Sequence, residues 1–390
     1  AHVVQVWTRW ECRQGVVPFG SVAHFPMSDS AEYYLMDFGT LPDKLYKPEV
    51  PLEEWQRHLK TAGKDGFKPG ELATIAPISA GAWLERIITY PLYMILNAAP
   101  FALPPMLWAM FGWSGCAKFV AGFFSLHILL VVLNPMRTVK KGQYIYTERN
   151  IQKYNSIKWV WPKALQPPAL TTPKIYCSIP HGLAPVGIVA YPGWSKVFGE
   201  RLNRPTAAPV VLKLPIIGYF LRMIGYIPAT SSSIKKALSK EENVGLVLDG
   251  IAGMFQNDAS AEIAWVKERK GIVKIALTTG TALVPCFGFG HSKLWRILTD
   301  PWGILERLSV KLNVSVTPFC GRPCGLLPFG PPYRTPICMA FGEPVVCPKV
   351  EEPTQAQIDE YHQKFVDSLK QAFDTHKGAY GWGDKTLKLV

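Results

Sequence analysis

At 390 residues the chain can hold one large domain or two ordinary ones, and its 48% apolar and 12% aromatic content excludes a disordered polymer. A formal charge of +13 narrows the partners to nucleic acid, anionic lipid headgroups or phosphate-bearing substrates. Eight cysteines form no Cys-x-x-Cys pair and no histidines cluster near Cys320 and Cys324, which argues against zinc and for reduced, mostly buried thiols.

The chain begins with Ala1 rather than Met, as a processed or trimmed start would. Residues 1–80 mix aromatics with Gly, Pro and charge and show no sustained helical or strand period. They are expected to be an irregular extension that drapes over another surface or packs on the main domain. Residues 81–136 differ: from Ile87 to Met136 the only formal charge is Lys118. Two apolar segments joined by Gly112-Trp113-Ser114-Gly115 predict a hairpin that enters and leaves a membrane on one side, with a first arm broken by Pro91, Pro100, Pro104 and Pro105. A basic run follows, with Arg137, Lys140, Lys141, Arg149, Lys153, Lys158, Lys163 and Lys174 against Glu148 alone. Beside a hydrophobic hairpin this fits anionic headgroups, and Trp159, Trp161 and Tyr154 fit the interface belt. No nucleic-acid motif accompanies the cations, so nucleic acid is not expected as a partner.

Residues 137–390 read as an α/β domain with a mainly parallel sheet flanked by helices. Apolar, β-branched runs recur at 175–179, 209–213, 244–249, 282–289 and 337–341, with helical stretches at 215–224, 233–240 and 268–280 between them. The last helix opens at Pro353-Thr354, with Thr354 and Gln357 spaced as a capping box. Its apolar stripe of Ile358, Tyr361, Phe365, Leu369 and Phe373 ends at Gly378.

The sharpest chemical feature is Ser178-Ile179-Pro180-His181-Gly182, where a predicted strand gives way to a helical run. Pro180 fixes its own φ, and Gly182 lets backbone approach a substrate closely. Displayed at the sheet edge, His181 can take the proton of an alcohol as that alcohol attacks a thioester. Backbone N–H groups at a helix start can hold the oxyanion.

Pro180-His181-Gly182 followed by Gly187 resembles the His-Pro-His-Gly block of the type-2 diacylglycerol acyltransferases, a family that also holds monoacylglycerol and wax-ester acyltransferases. Four further blocks are similar, in the same order. They are Glu268 to Ala276, Leu283-Val284-Pro285 with Phe289-Gly290, Gly321-Arg322 to Gly330, and Phe341-Gly342-Glu343-Pro344 with Asp359 to His362. The resemblance spans roughly 85–385. It implies a glycerolipid-acyltransferase-like fold, acyl-CoA as co-substrate, a lipid alcohol as acceptor and His181 as general base, with no metal and no cofactor. Pro180, Gly182 and Gly250 fall in the substrate-facing blocks, and Lys213, Arg269 and Lys270 are candidates for the CoA phosphates. The family implies membrane lipids as partners at the endoplasmic reticulum or lipid droplets, while a missing start leaves a mitochondrial or plastid membrane open.

This chain also departs from the family. The block Pro-Gly-Gly-x-x-Glu reads Leu248-Asp249-Gly250-Ile251-Ala252-Gly253, so the glutamate position is Gly253 and the first glycine position is Asp249. Ile179 stands for the first histidine of the block, and His291 follows Phe289-Gly290 where many members carry an acid. Wider glycerolipid acyltransferases place an aspartate five residues after the histidine, and here that position is Val186. Asp249 is the acid that could reach His181 from a neighbouring strand end and join it in catalysis. Two readings stay open: an active O-acyltransferase, or a degenerate homologue serving as a structural or lipid-binding subunit of a membrane complex, with residues 1–80 as its contact surface.

Overall fold

A computed structural model describes residues 30–46, 50–78, 108–115, 117–126, 149–165, 172–180, 182–183, 186–189, 203–214, 217–223, 225–250, 261–297, 302–312, 317–322, 327–328 and 330–390, with positions 128, 129, 132, 253 and 300 between them. Its strands in chain order are β1 Tyr33–Asp37, β2 Lys60–Ala62, β3 Lys158–Pro162, β4 Lys174–Ile179, β5 Asn203–Ala207, β6 Ile227–Pro228 and β7 Asn243–Val247. The remaining ones are β8 Ala261–Ala264, β9 Ala282–Phe289, β10 Arg296–Ile297, β11 Phe319–Gly321, β12 Leu327–Pro328, β13 Cys338–Phe341 and β14 Thr386–Leu389. The helices are α1 Leu52–Gln56, α2 Val186–Val189, α3 Pro209–Lys213, α4 Ile217–Met223, α5 Ser231–Leu238, α6 Gly271–Thr279, α7 Ile304–Leu312 and α8 Gln355–Lys377.

Nine strands form one mixed sheet in the order β2-β1-β3-β13-β9-β4-β7-β5-β6. From β9 to β6 neighbouring strands are parallel, and β9 to β13 and β1 to both its neighbours are antiparallel. The central strands β4 and β9 are buried at every position, so their sequences read as unbroken apolar runs rather than alternations. Helix α8 covers one face, setting Phe373 edge-on to Phe287 and stacked on Phe289 with centroids 4.8 and 5.5 Å apart. Its N-terminus carries the expected reciprocal cap between Thr354 and Gln357.

Residues 209–213, expected as a strand, form α3 instead. Pro209 cannot donate to a ladder but suits the first turn of a helix, and the strand is the preceding segment, β5. Of the two arrangements expected for 1–80, the described part packs on the main domain, and it is regular there rather than irregular. Residues 30–78 supply β1 and β2 to the main sheet, and β1 is buried on both faces, which hides its period of two. Tyr34, Met36, Phe38 and Trp55 all lie in the core of this chain, so they are not a surface kept for partners. Residues 1–29 lie outside the described part.

The basic run takes a different role as well. Trp159, Trp161 and Tyr154 are fully buried, away from any interface. Lys158 ion-pairs with Asp37 at 3.6 Å, Arg149 with Asp43 at 3.5 Å, and Lys153 with the same Asp43. These cations are neutralised by carboxylates of the N-terminal segment and are not offered to headgroups. Arg137, Lys140 and Lys141 lie outside the described residues. Of the expected hairpin, 108–115 and 117–126 carry helical residues, and at the expected turn Gly112 takes φ +62°, a left-handed conformation that interrupts a right-handed helix. Trp108, Met110, Phe111, Trp113, Phe124 and Leu129 there are exposed. Among the described residues no helix is long and apolar enough to cross a membrane.

One buried group makes stability depend on pH. His376 on α8 is 1% exposed, meets the edge of the Tyr33 ring at 5.0 Å, and has no hydrogen-bond partner on either ring nitrogen. Burial lowers its pKa from 6.5 to about 4. Above pH 6.5 the ring is neutral whether folded or not. As the pH falls toward 4 the unfolded chain takes up a proton that the folded chain refuses, so stability declines by about 3 kcal/mol. In His376→Phe that portion of the acid loss is expected to vanish, which urea midpoints at pH 7 and pH 4.5 compare directly.

Candidate active site

In a parallel sheet chemistry collects in the loops beyond the strand C-termini. The three central strands β9, β4 and β7 run the same way and end at one edge. There β4 delivers Ile179, a cis peptide and the buried Pro180. His181 itself lies outside the described residues. Gly182 follows with φ +57°, and a Cβ on it would stand 2.9 Å from the His291 carbonyl oxygen. Conformation and space both demand glycine there.

Strand β7 ends beside this turn. Ser178 is in register with Val247, and the Leu248 N–H donates to the Ser178 carbonyl at 3.2 Å, carrying the ladder one residue past the strand. Asp249 is therefore level with Pro180, and it is fully buried. Gly250 turns the chain with φ +57°. A Cβ built on Gly253 would collide with the Asp249 carboxylate. The carboxylate of Asp249 thus fills the room in which a side chain at 253 would begin.

Arg269 is exposed, and its guanidinium lies 3.6 Å from where a Gly250 Cβ would be, placing a cation next to the Asp249 turn. The loop that carries it is pinned by α8. The His362 ring N–H donates to the Val266 carbonyl at 2.8 Å. Lys270 pairs with Asp359 at 2.7 Å, and this hydrogen bond holds the Asp359 carboxyl below its ordinary pKa. Lys270 is thus committed to α8, while Arg269 is directed at the turn. Lys213 is exposed at the end of α3, the helix that leaves β5 on the same edge but two strands from β4.

The third strand end adds a histidine whose role the sequence does not disclose. His291 is buried, and its Nε2 accepts the Gly187 N–H at 3.0 Å, so its Nδ1–H donates to the Gly288 carbonyl at 3.0 Å. Both nitrogens are satisfied in the neutral form, and the ring ties α2, the first helical turn after Pro180-His181-Gly182, to β9. A Cβ on Gly288 would collide with this ring, and one on Gly187 would come 2.9 Å from its Cε1. The signal available in the sequence was this pair of glycines, which clears space for an imidazole.

Buried free thiols also lie in and beside the sheet. Cys177, Cys286, Cys338 and Cys347 are buried, and desolvation pushes their pKa values up, to about 12 for Cys338 and Cys347. They are inert packing groups rather than nucleophiles.

The turns that end β4, β7 and β9 thus meet at one edge of the sheet, where the fold gathers the motifs picked out in the sequence. The family model for diacylglycerol acyltransferase matches residues 123–390, and the chain belongs to that family. It is 31% identical over 216 residues to 2-acylglycerol O-acyltransferase 1 of Bos taurus, covering 52% of this chain and 64% of the relative. To diacylglycerol O-acyltransferase 2 of Danio rerio it is 32% identical over 230 residues, covering 54% and 63%. The match thus spans a little under two thirds of the length of each. Among solved structures, the 1-acyl-sn-glycerophosphate acyltransferase of Thermotoga maritima covers 75% of this chain and 96% of its own at 12% identity, with a TM-score of 0.35, too slight a likeness to build on.

Proposed function

We propose that this chain is an acyl-CoA-dependent O-acyltransferase that acylates a lipid alcohol of the diacylglycerol class, with His181 as general base. The observation that carries the proposal is the buried Asp249 carboxylate, level with Pro180 on the adjacent strand and seated in the space belonging to position 253. A base that gains a proton needs a charge to balance it, and Asp249 is the buried acid at this edge.

In this mechanism the acceptor hydroxyl gives its proton to the His181 imidazole as its oxygen attacks the thioester carbonyl. Asp249 steadies the imidazolium. The tetrahedral intermediate then collapses, the C–S bond breaks, and the CoA thiolate takes the proton back from His181. Pro180, Gly182 and Gly250 keep side chains out of the path of the reacting groups, and Arg269 offers a bidentate fork to a CoA phosphate. His291 and His362 are positioning residues, since they act through α2 and the Arg269 loop. No step calls for a metal or cofactor. The exposed apolar residues of 108–115 and 117–126 support a membrane anchor, which brings the site to its lipid acceptor. The family's usual setting favours the endoplasmic reticulum or lipid droplets.

The test is an assay of membranes holding the full chain with acyl-CoA and diacylglycerol, comparing the native chain with His181→Ala. A loss of about a thousandfold or more is expected for a missing base. Equal ester from both would end the catalytic assignment and leave a scaffold or lipid-binding subunit.

A further inference from the structure

The connection leaving the C-terminal end of β9 shows a reversed polarity. Helix α7 turns Ser309 fully inward, while Ile304 is 58%, Leu308 39% and Val310 56% exposed, with Trp302 just before it at 76%. Arg307 and Lys311 are exposed on the same side, so 304, 307, 308 and 311 alternate apolar and cationic groups at helical spacing. A soluble surface helix has its apolar residues turned to the core, and this one has them turned out.

The helix is built firmly in that orientation. The Asp300 carboxylate accepts the Ile304 N–H at 3.0 Å and the Glu306 N–H at 2.9 Å, which caps its first turn. The charge around it is also biased. Between His291 and Leu312 there are four cations, Lys293, Arg296, Arg307 and Lys311, and two carboxylates, Asp300 and Glu306. Asp300 is occupied by the helix N-terminus, so the outward field is positive.

We infer that residues 302–311 are a lipid-contact element that lies in the interface of an anionic bilayer, separate from the apolar stretch at 108–126. Trp302 is an interfacial anchor, Ile304 and Leu308 enter the acyl boundary, and Arg307 and Lys311 meet the headgroups. Charge complementarity selects this occupant over a protein groove, since cations interleaved with apolar groups fit a phosphate-over-hydrocarbon surface. The inference does not depend on His181 or on catalysis. It orients the sheet with the C-terminal edge of β9 toward the bilayer.

The experiment places p-benzoylphenylalanine at position 302 or 304 of the full chain and irradiates it with phosphatidylcholine vesicles, with or without about 30% phosphatidylserine. A third chain carries it at position 346. Val346 is 64% exposed and follows Val345, which pairs with Leu283 at the opposite end of β9. Because all three chains keep residues 108–126, attachment to vesicles is common to them and only the site of lipid contact varies. Lipid adducts are expected at 302 and 304, stronger with phosphatidylserine, and near background at 346. Arg307→Glu with Lys311→Glu should lower the anionic-vesicle yield by about tenfold or more. Adducts at 302 and 304 no stronger than at 346, or adducts to protein alone, would overturn the inference.

Discussion

Putting glutamate at position 253 of the native chain is expected to abolish ester formation and destabilise the fold, while the same glutamate in an Asp249→Gly background should be tolerated and active. Residues 249 and 253 compete for one volume, because a Cβ at 253 already collides with the Asp249 carboxylate. Gly253→Ala alone should therefore cost about 1–3 kcal/mol of overpacking. Gly253→Glu brings a second carboxylate to the same spot, and two adjacent acids in a buried site cannot both ionise without strong repulsion. Asp249→Asn keeps the shape but removes the charge, so it should lose activity by about 10²–10⁴ with little change in melting temperature. The double variant Asp249→Gly, Gly253→Glu restores one acid and one glycine and should recover most of the activity. Turnover and urea midpoints on the native chain, Asp249→Gly, Gly253→Glu and the double variant form a double-mutant cycle with a coupling of opposite sign to the singles. If Gly253→Glu is as active and stable as the native chain, the two positions do not compete for one volume.

The central strands and the last helix were the legible elements. β4, β7, β9 and β13 stand out as short β-branched or aromatic runs because nothing in them needs water, and α8 is announced by its capping box and apolar stripe. β3 misled for a physical reason. A lysine and two tryptophans look like a membrane interface until the partner is known, and the partner, Asp37, is far away in sequence on β1. The site divides in the same way. Pro180-His181-Gly182 and Arg269 are visible as local motifs, whereas the competition of positions 249 and 253 for one volume is visible in the sequence only as two unrelated departures. Lys270 looked equivalent to Arg269, and only the packing of α8 shows that Asp359 holds it.

The pair that misled also carries the second large effect. Lys158 has a side chain 1% exposed, facing Asp37 at 3.6 Å and donating to the Thr74 carbonyl at 2.7 Å. Burial lowers its pKa, and Asp37 opposes that shift. Removing one member leaves the other as an uncompensated buried charge, so Asp37→Asn and Lys158→Met should each destabilise by about 3–5 kcal/mol. The double replacement removes both charges and should cost much less than the sum. The pH response separates this from mere loss of packing. Without Asp37 the Lys158 pKa drops further, so over a wider range the unfolded chain holds a proton that the folded chain has released. Stability in Asp37→Asn must then climb as pH rises from that lowered pKa toward the ordinary lysine value of about 10.4, more steeply than in the native chain. Lys158→Met has no such group, and its urea midpoint should lack that rise. A flat profile in Asp37→Asn would mean that water already reaches the Lys158 ammonium and that the strand is held by its tryptophans alone.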